Sequence, residues 1–409
     1  MNAPAVLPTL AGQRPTGRVS PVLWVLGALV PLAMLLGDLA LLDGGHVAGG
    51  SYWGRDFVNL WTGGQLVRSG ELSAIYDVPA YQAYQATLFG PLNPHNYSYP
   101  PASFPLAALL SFLPYPLALA AWTAGTGAFF VAACRRWWPA GAGPHWLALL
   151  MPASLINIWA GHYGFLLGGL FLLGWQRFGR HPVQAGILFG CMILKPHLAL
   201  MVGVALLARR QWRAIAAGVV TVAALVALTS LPFGWGLWAD FLFGVGGEQS
   251  AMIDAGGKFY GLMSTSAATA LFRFTDAAPL VTAVQLALSA CAIAAVAVAA
   301  RSGCSTRQLA LFAATCTFLA LPYAFNYDLT VVSLAALVTL IEAERRWQRI
   351  AAALAFLAPA WGMVAAYCAL PLLALALGAL ACAQWRQLRV SQADGVPTRP
   401  FNPQTALLR

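Results

Sequence analysis

Charge is scarce in this sequence of 409 residues: Asp, Glu, Lys and Arg make up 9% of it, against roughly a quarter in an ordinary soluble domain. Lysine is almost missing, with Lys195 and Lys258 the only two. So little polar material, beside 60% hydrophobic residues and a mean hydropathy of +0.70, excludes a sizeable soluble domain and marks a membrane protein. Walker-type phosphate loops, dinucleotide fingerprints, GxSxG elbows and HExxH motifs are absent, which removes support for those enzyme classes. The seven cysteines, Cys134, Cys191, Cys291, Cys304, Cys316, Cys368 and Cys382, are scattered in or near apolar runs without paired metal spacing. Neither disulfides nor structural zinc are expected from them.

What is present is a series of apolar runs from residue 21 to residue 384, many of them near the roughly 20 residues that cross a bilayer. The expected fold is all-α: a polytopic helical bundle with about twelve transmembrane helices and a long first outer loop that carries amphipathic helices. A tail at residues 1–20, a membrane domain at 21–384 with outer loops at 43–101 and 232–273, and a C-terminal tail at 385–409 complete the organisation. The run from Pro21 to Leu42 exceeds the roughly 7 to 15 apolar residues of a signal peptide and lacks a clear cleavage site, so it is expected to stay as the first span.

The net charge of +10 raises nucleic acid as a partner, but the basic residues fall in short clusters between apolar runs. That is the pattern of cytoplasmic loops and not of a nucleic-acid face. Eighteen of the 23 basic residues go to the inside on this reading, among them Arg135 with Arg136, Arg209 with Arg210 and Arg213, and Arg345 with Arg346 and Arg349. Both termini are then cytoplasmic, in a multi-pass protein of a bacterial cell membrane. Trp53, Trp159, Trp235 and Trp361 fall near outer ends, where interface anchoring is the plain explanation.

The stretch Ser51 to Pro101 is the one long early interval that is neither span nor tail, and it holds Asp56, Glu71 and Asp77, three of the thirteen acidic residues. Asp56 to Arg68 and Val78 to Phe89 show helical spacing of apolar residues and are expected to lie along the membrane surface. Once the spans are threaded, every unusual polar cluster comes out on one side: Arg55-Asp56, the Gly161 to Gly164 turn, Lys195-Pro196-His197, the Lys258 loop and Asn326-Tyr327-Asp328. A shared pocket at the outer face follows.

Each candidate has two readings. Asp56 opens a helix, so its carboxylate either caps that helix or acts from a fixed direction as a general base. Lys195, with His197 as a second donor, either holds a phosphate or snorkels to the interface. His162 binds a sugar hydroxyl or only satisfies a tight turn, and Asp328 binds substrate or caps the following span. Asp38 and Glu342 have simpler explanations as interfacial residues. Tyr76 and Tyr99, with Asp77 and Tyr97, either order the loop or floor a sugar or prenyl site.

The ordered set GRDF, SGELSAIYD, YSYPP, NIWAGHYG, LKPH and PYAFNYD resembles glycosyltransferase family 87, over roughly Trp53 to Leu340. These are polyprenyl-phosphate-mannose-dependent mannosyltransferases of the GT-C type. The resemblance implies an extracytoplasmic active site in a helical membrane fold, a lipid-phosphate sugar as donor, a lipid or glycan as acceptor, membrane lipids around it, and inversion at the transferred carbon. No nucleic acid, metal or other cofactor is implied, the lipid-linked sugar being a substrate. The family's catalytic aspartate matches Asp56 and its KP motif matches Lys195 and Pro196, with His197 and Arg55 beside them as phosphate donors. Its glutamine-bearing turn matches Gly161 and His162, a departure, and the histidine pair of some relatives falls where this chain has Tyr327 and Asp328. Substrate contacts are expected from His162, Tyr163, Tyr76, Tyr99, Lys258, Asn326, Tyr327 and Asp328. A transporter or flippase, which predicts inverted repeats and midplane polar groups, and a non-catalytic scaffold are the rival readings; the sequence gives no oligomeric state.

Overall fold

The computed structural model describes residues 18–93, 95–245 and 258–393. It is an all-α polytopic membrane protein. Five of its helices are long and apolar enough to cross a bilayer: Pro21–Ala40, Tyr115–Cys134, Trp212–Phe233, Ala278–Arg301 and Arg346–Tyr367. Shorter apolar segments, Pro101–Ser111, Pro182–Leu194, Pro196–Ala208 and Thr330–Glu342, lie among them. The tails before residue 18 and after 393, with Glu248 and Asp254 of the second outer loop, lie outside the described residues.

Helix α1 (Pro21–Ala40) starts where Ser20 accepts from the Val22 N–H and proline fills the first turn. Most of its leucines and valines are exposed, as a lipid-facing helix requires, and only Gly27, Pro31 and Asp38 are buried. The chain then makes a short antiparallel hairpin, with Val47 paired to Ser51, and enters α2 (Phe57–Ser69) and α3 (Val78–Phe89). Asp77 caps α3 through the Ala80 N–H at 3.0 Å.

Helix α2 is packed inside the protein. Eight of its residues, Phe57 to Leu60, Thr62 to Gly64 and Leu66, are buried, and it packs on α4 (Phe104–Ser111). Two adjacent glycines make this possible: a Cβ on Gly64 would sit 2.1 Å from the Ala107 carbonyl oxygen, and one on Gly63 would meet the Tyr97 ring. Helical spacing of apolar residues fits a protein-facing helix as well as a lipid-facing one, and the glycines decide between them.

Beyond α5 (Tyr115–Cys134), the pairs α6 (Pro152–Ala160) with α7 (Gly164–Arg177), and α8 (Pro182–Gly190) with α9 (Leu200–Ala208), meet end to end at tight turns. Helix α10 (Trp212–Phe233) packs against α8. The Thr330–Glu342 helix is buried along nearly its whole length and follows a single 3-10 turn at Asn326–Asp328. All seven cysteines are unbridged.

The GHYG turn is fixed by close approach. Gly161 has φ +65°, and a Cβ there would stand 2.6 Å from the Gly54 carbonyl oxygen, so only glycine lets the turn press against the residues preceding Asp56. The Trp122 indole donates to the Gly161 carbonyl at 3.1 Å. Across the same turn, the Gly164 carbonyl accepts from Thr330 Oγ1 at 2.9 Å. The first loop, the α6–α7 turn and the late 3-10 turn are thereby held together.

Candidate active site

A cavity of about 600 Å³ lies where these turns meet. Of the expected site residues, Arg55, Asp56, Tyr99, His162, Lys195, His197, Tyr327 and Asp328 line it. Tyr76, Tyr163 and Asn326 do not. Tyr76 donates to the Tyr99 carbonyl at 2.7 Å and stacks on Phe104, Tyr163 packs against Trp122 and Tyr99, and Asn326 donates to the Pro359 carbonyl at 2.7 Å. These three build the walls behind the lining. Lys258 opens a short helix, Lys258–Met263, and its side chain lies outside what is described.

Asp56 occupies the N-cap position of α2, yet its side chain makes no capping hydrogen bond. Its backbone is in the helical region, at φ −66° and ψ −16°, and not in the extended conformation that turns a capping side chain back onto the helix. The carboxylate is half-buried and lines the cavity. Burial pushes its pKa above the usual carboxylate value; His95, Lys195 and Arg55 oppose that rise, and Asp328 adds to it.

Arg55, just before it, has φ +44°. Its guanidinium is committed to Asp38, with Nη2 at 2.6 Å from Oδ1 and Nε at 2.9 Å from Oδ2, and lies 4.1 Å above the Trp159 ring. Trp159 Nε1 donates to the same Asp38 at 2.9 Å. Asp38 and Trp159 are therefore buried partners. A carboxylate inside an apolar span is costly unless paired, and that cost is the signal in the sequence that could have found Asp38.

Lys195 sits between two 3-10 turns, with the backbone broken before Pro196 at φ −146° and ψ 77°. Its Nζ donates to both carboxylate oxygens of Asp328, at 2.8 and 3.0 Å. Asp328 is thus an ion-pair partner and not a helix cap. Lys195 also lies 4.9 Å over the Tyr327 ring, and the other side of Tyr327's neighbourhood is His162, stacked on it at 4.1 Å. Tyr99 Oη is 3.0 Å from His162 Nε2.

Several lining residues were not among the site residues expected from the sequence. Asn59 points in from α2, His95, Asn96 and Ser98 come from the end of the first loop, and Phe241, Tyr323 and Phe325 form apolar wall. The Nδ1–H of His95 donates to the Asn93 carbonyl at 2.6 Å. Its position among Pro and Asn residues in the sequence looks like ordinary turn composition, which hid it. Among the described residues, no group of three or more His, Cys, Asp or Glu has a metal-holding arrangement.

One cavity in a helical membrane protein, lined by a carboxylate and by a lysine–carboxylate pair, is the arrangement of a site for a polar or charged substrate. A model of glycosyltransferase family 87 matches residues 97–322, more than half of the chain, and the chain belongs to that family: it is a membrane glycosyltransferase. Tyr99, His162, Lys195 and His197 lie inside the matched stretch, Asp56 before it and Asp328 just after it. No curated protein and no solved structure matches the chain.

Proposed function

We propose that this glycosyltransferase takes its sugar, mannose or another hexose or pentose, from a polyprenyl-phosphate donor and passes it to a lipid or glycan acceptor with inversion. The single observation that carries the reading is the uncapped carboxylate of Asp56 in the same cavity as the Lys195 ammonium. Asp56 takes the proton of an acceptor hydroxyl, and the oxygen forms its bond to the anomeric carbon from one face. The bond from that carbon to the phosphate oxygen breaks on the other, and the phosphate leaves with the electron pair. Inversion needs a base and a stabilised leaving group on opposite faces. The phosphate is already anionic, so no general acid is demanded.

Lys195 and His197 are the phosphate donors of this scheme. Arg55 enters it through its charge beside Asp56, since its N–H groups are used by Asp38 and Ser51. Tyr99, His162, Tyr327 and Asp328 line the sugar subsite. The basic clusters between spans support a site on the extracytoplasmic face with cytoplasmic termini. A GT-C-like bundle of about twelve crossings is part of the same proposal, with the short helix pairs α6–α7 and α8–α9 counted as spanning elements.

The test is transfer by the purified protein from a panel of synthetic prenyl-phosphate sugars to lipid and glycan acceptors, read by mass spectrometry of the product. Transfer with inverted anomeric configuration is expected. Transfer only from nucleotide sugars would overturn the donor, and retention would overturn the displacement.

A further inference from the structure

Asn59 lies one helical turn after Asp56. The helical backbone already includes Asp56, whose carbonyl accepts from the Asn59 N–H at 3.1 Å. The two side chains therefore share a helix face, with about 5 to 6 Å between Cβ atoms at this spacing. Both residues line the cavity, and Asn59 is otherwise enclosed, at 8% exposure. Its amide has a defined direction. Gln85 Nε2 can only donate, and it meets Asn59 Oδ1 at 3.4 Å. Tyr81 Oη, which donates to the Asn59 carbonyl at 2.9 Å, stands 3.4 Å from the same Oδ1. The oxygen faces α3, so Nδ2 faces away from it. Among the described residues Nδ2 has no hydrogen-bond partner, and it is open to the cavity. Linking α2 to α3 needs only the oxygen, which leaves both amide hydrogens at the cavity wall beside the base.

We propose that Asn59 is a specificity-determining residue: its amide donates to the acceptor oxygen next to the hydroxyl that Asp56 deprotonates, so the acceptor is a carbohydrate-type vicinal diol. The proposal rests on the reading of Asp56 as the base. An ionised carboxylate can only accept, and the amide nitrogen turned to the cavity can only donate. A sugar or cyclitol ring with neighbouring hydroxyls meets both at once. One hydroxyl gives its proton to Asp56, and the oxygen of the next accepts from Nδ2. The isolated alcohol of a lipid or of a serine or threonine side chain offers no second oxygen. It would shut the nearly buried amide away from water without a partner, and an unmade bond of that kind costs more than a made one contributes. The phosphate donors of the scheme, Lys195 and His197, come from the turn between α8 and α9 and not from α2. Asn59 is thus placed to select the acceptor and not the donor.

The test uses methyl hexopyranosides of the gluco, manno and galacto series and their mono-deoxy derivatives. Binding to the purified full-length protein in detergent is read by saturation-transfer NMR, and transfer from a prenyl-phosphate sugar by kcat/KM. In the wild type, removing one particular hydroxyl should weaken binding about 3- to 10-fold, the contribution of one neutral hydrogen bond. In Asn59→Ala the intact glycoside should bind more weakly by the same factor, and removing that hydroxyl should change nothing further. Asn59→Leu, of similar volume, replaces the alanine variant if that protein does not fold. In the transfer product the new linkage should be at the carbon next to that hydroxyl. Equal sensitivity of wild type and variant to every deoxygenation, or no glycoside binding by the wild type, overturns the proposal. Transfer to cyclohexanol as fast as to the glycosides overturns it too and leaves the functional reading standing. If the wild type binds glycosides with this hydroxyl dependence but transfers no sugar to them, the functional reading fails and Asn59 stands as a diol-binding residue.

Discussion

Lys195 and Asp328, 133 residues apart in sequence, meet as a buried two-pronged ion pair, with Nζ at 2.8 and 3.0 Å from the two carboxylate oxygens. The pair brings a cation to the cavity without leaving it uncompensated, and on the proposed function it is this ammonium that an arriving donor phosphate would share. The pairing also explains why the chain tolerates one of its only two lysines in this position.

Removing one partner strands the other. Lys195→Met alone should destabilise the protein by about 3 to 5 kcal/mol, and Asp328→Leu alone by a similar amount, whereas the double variant should be closer to wild type. Thermal unfolding of the purified proteins in detergent, read by intrinsic fluorescence, checks this. Equal loss in the double and the single variants would show that the two charges are not coupled.

The same logic applies to Asp38, which neutralises Arg55 beside Asp56. Asp38→Ala should cost about 3 to 5 kcal/mol, and Arg55→Lys should lose most of the two-pronged contact despite keeping the charge. Sugar transfer should fall in both, because Arg55 at its positive φ sets where Asp56 begins. Full activity in Arg55→Lys would detach this network from the site.

Asp56 must be ionised to accept a proton, and burial, with Asp328 adding to it, raises its pKa above the ordinary carboxylate value. The acid limb of kcat/KM against pH should therefore lie above the ordinary carboxylate range, activity being lost as pH falls through the raised value. His95 is the leading group opposing that rise, so His95→Gln should move the limb to higher pH. A limb at an ordinary carboxylate position, unmoved by His95→Gln, would contradict the assignment.

Gly64 has no room for a methyl group against Ala107, whereas Gly37 in the lipid-facing α1 has nothing within 4 Å of its would-be Cβ. Gly64→Ala should cost about 1 to 3 kcal/mol by overpacking, and Gly37→Ala should be neutral or slightly stabilising. Comparing the two unfolding temperatures tests whether α2 is packed inside the protein.

Helix boundaries in the apolar region were legible because proline and glycine punctuate them: the expected Val78 to Phe89 helix and the break at Lys195-Pro196 are both observed. The convergence of GRDF, GHYG, LKPH and NYD on one cavity was legible from topology, since the positive-inside rule puts their turns on one side. Pairing was not. Asp38 with Arg55 and Lys195 with Asp328 depend on packing between helices distant in sequence, which hydropathy does not encode. Trp159 was read as an anchor because interfacial and buried tryptophans share a position near helix ends, and only its hydrogen bond to Asp38 separates them. Asn59 and His95 had no spacing rule to mark them.

The central claim is that Asp56 is the base of a sugar transfer, and the most direct measurement is a comparison of wild type and Asp56→Asn in the same prenyl-phosphate-sugar assay, with unfolding temperature and donor binding measured on the same samples. Loss of general-base catalysis corresponds to a fall of roughly 100-fold or more in kcat, with folding and donor binding retained. Equal transfer by the two proteins would contradict the account and leave Asp56 as no more than the first residue of its helix.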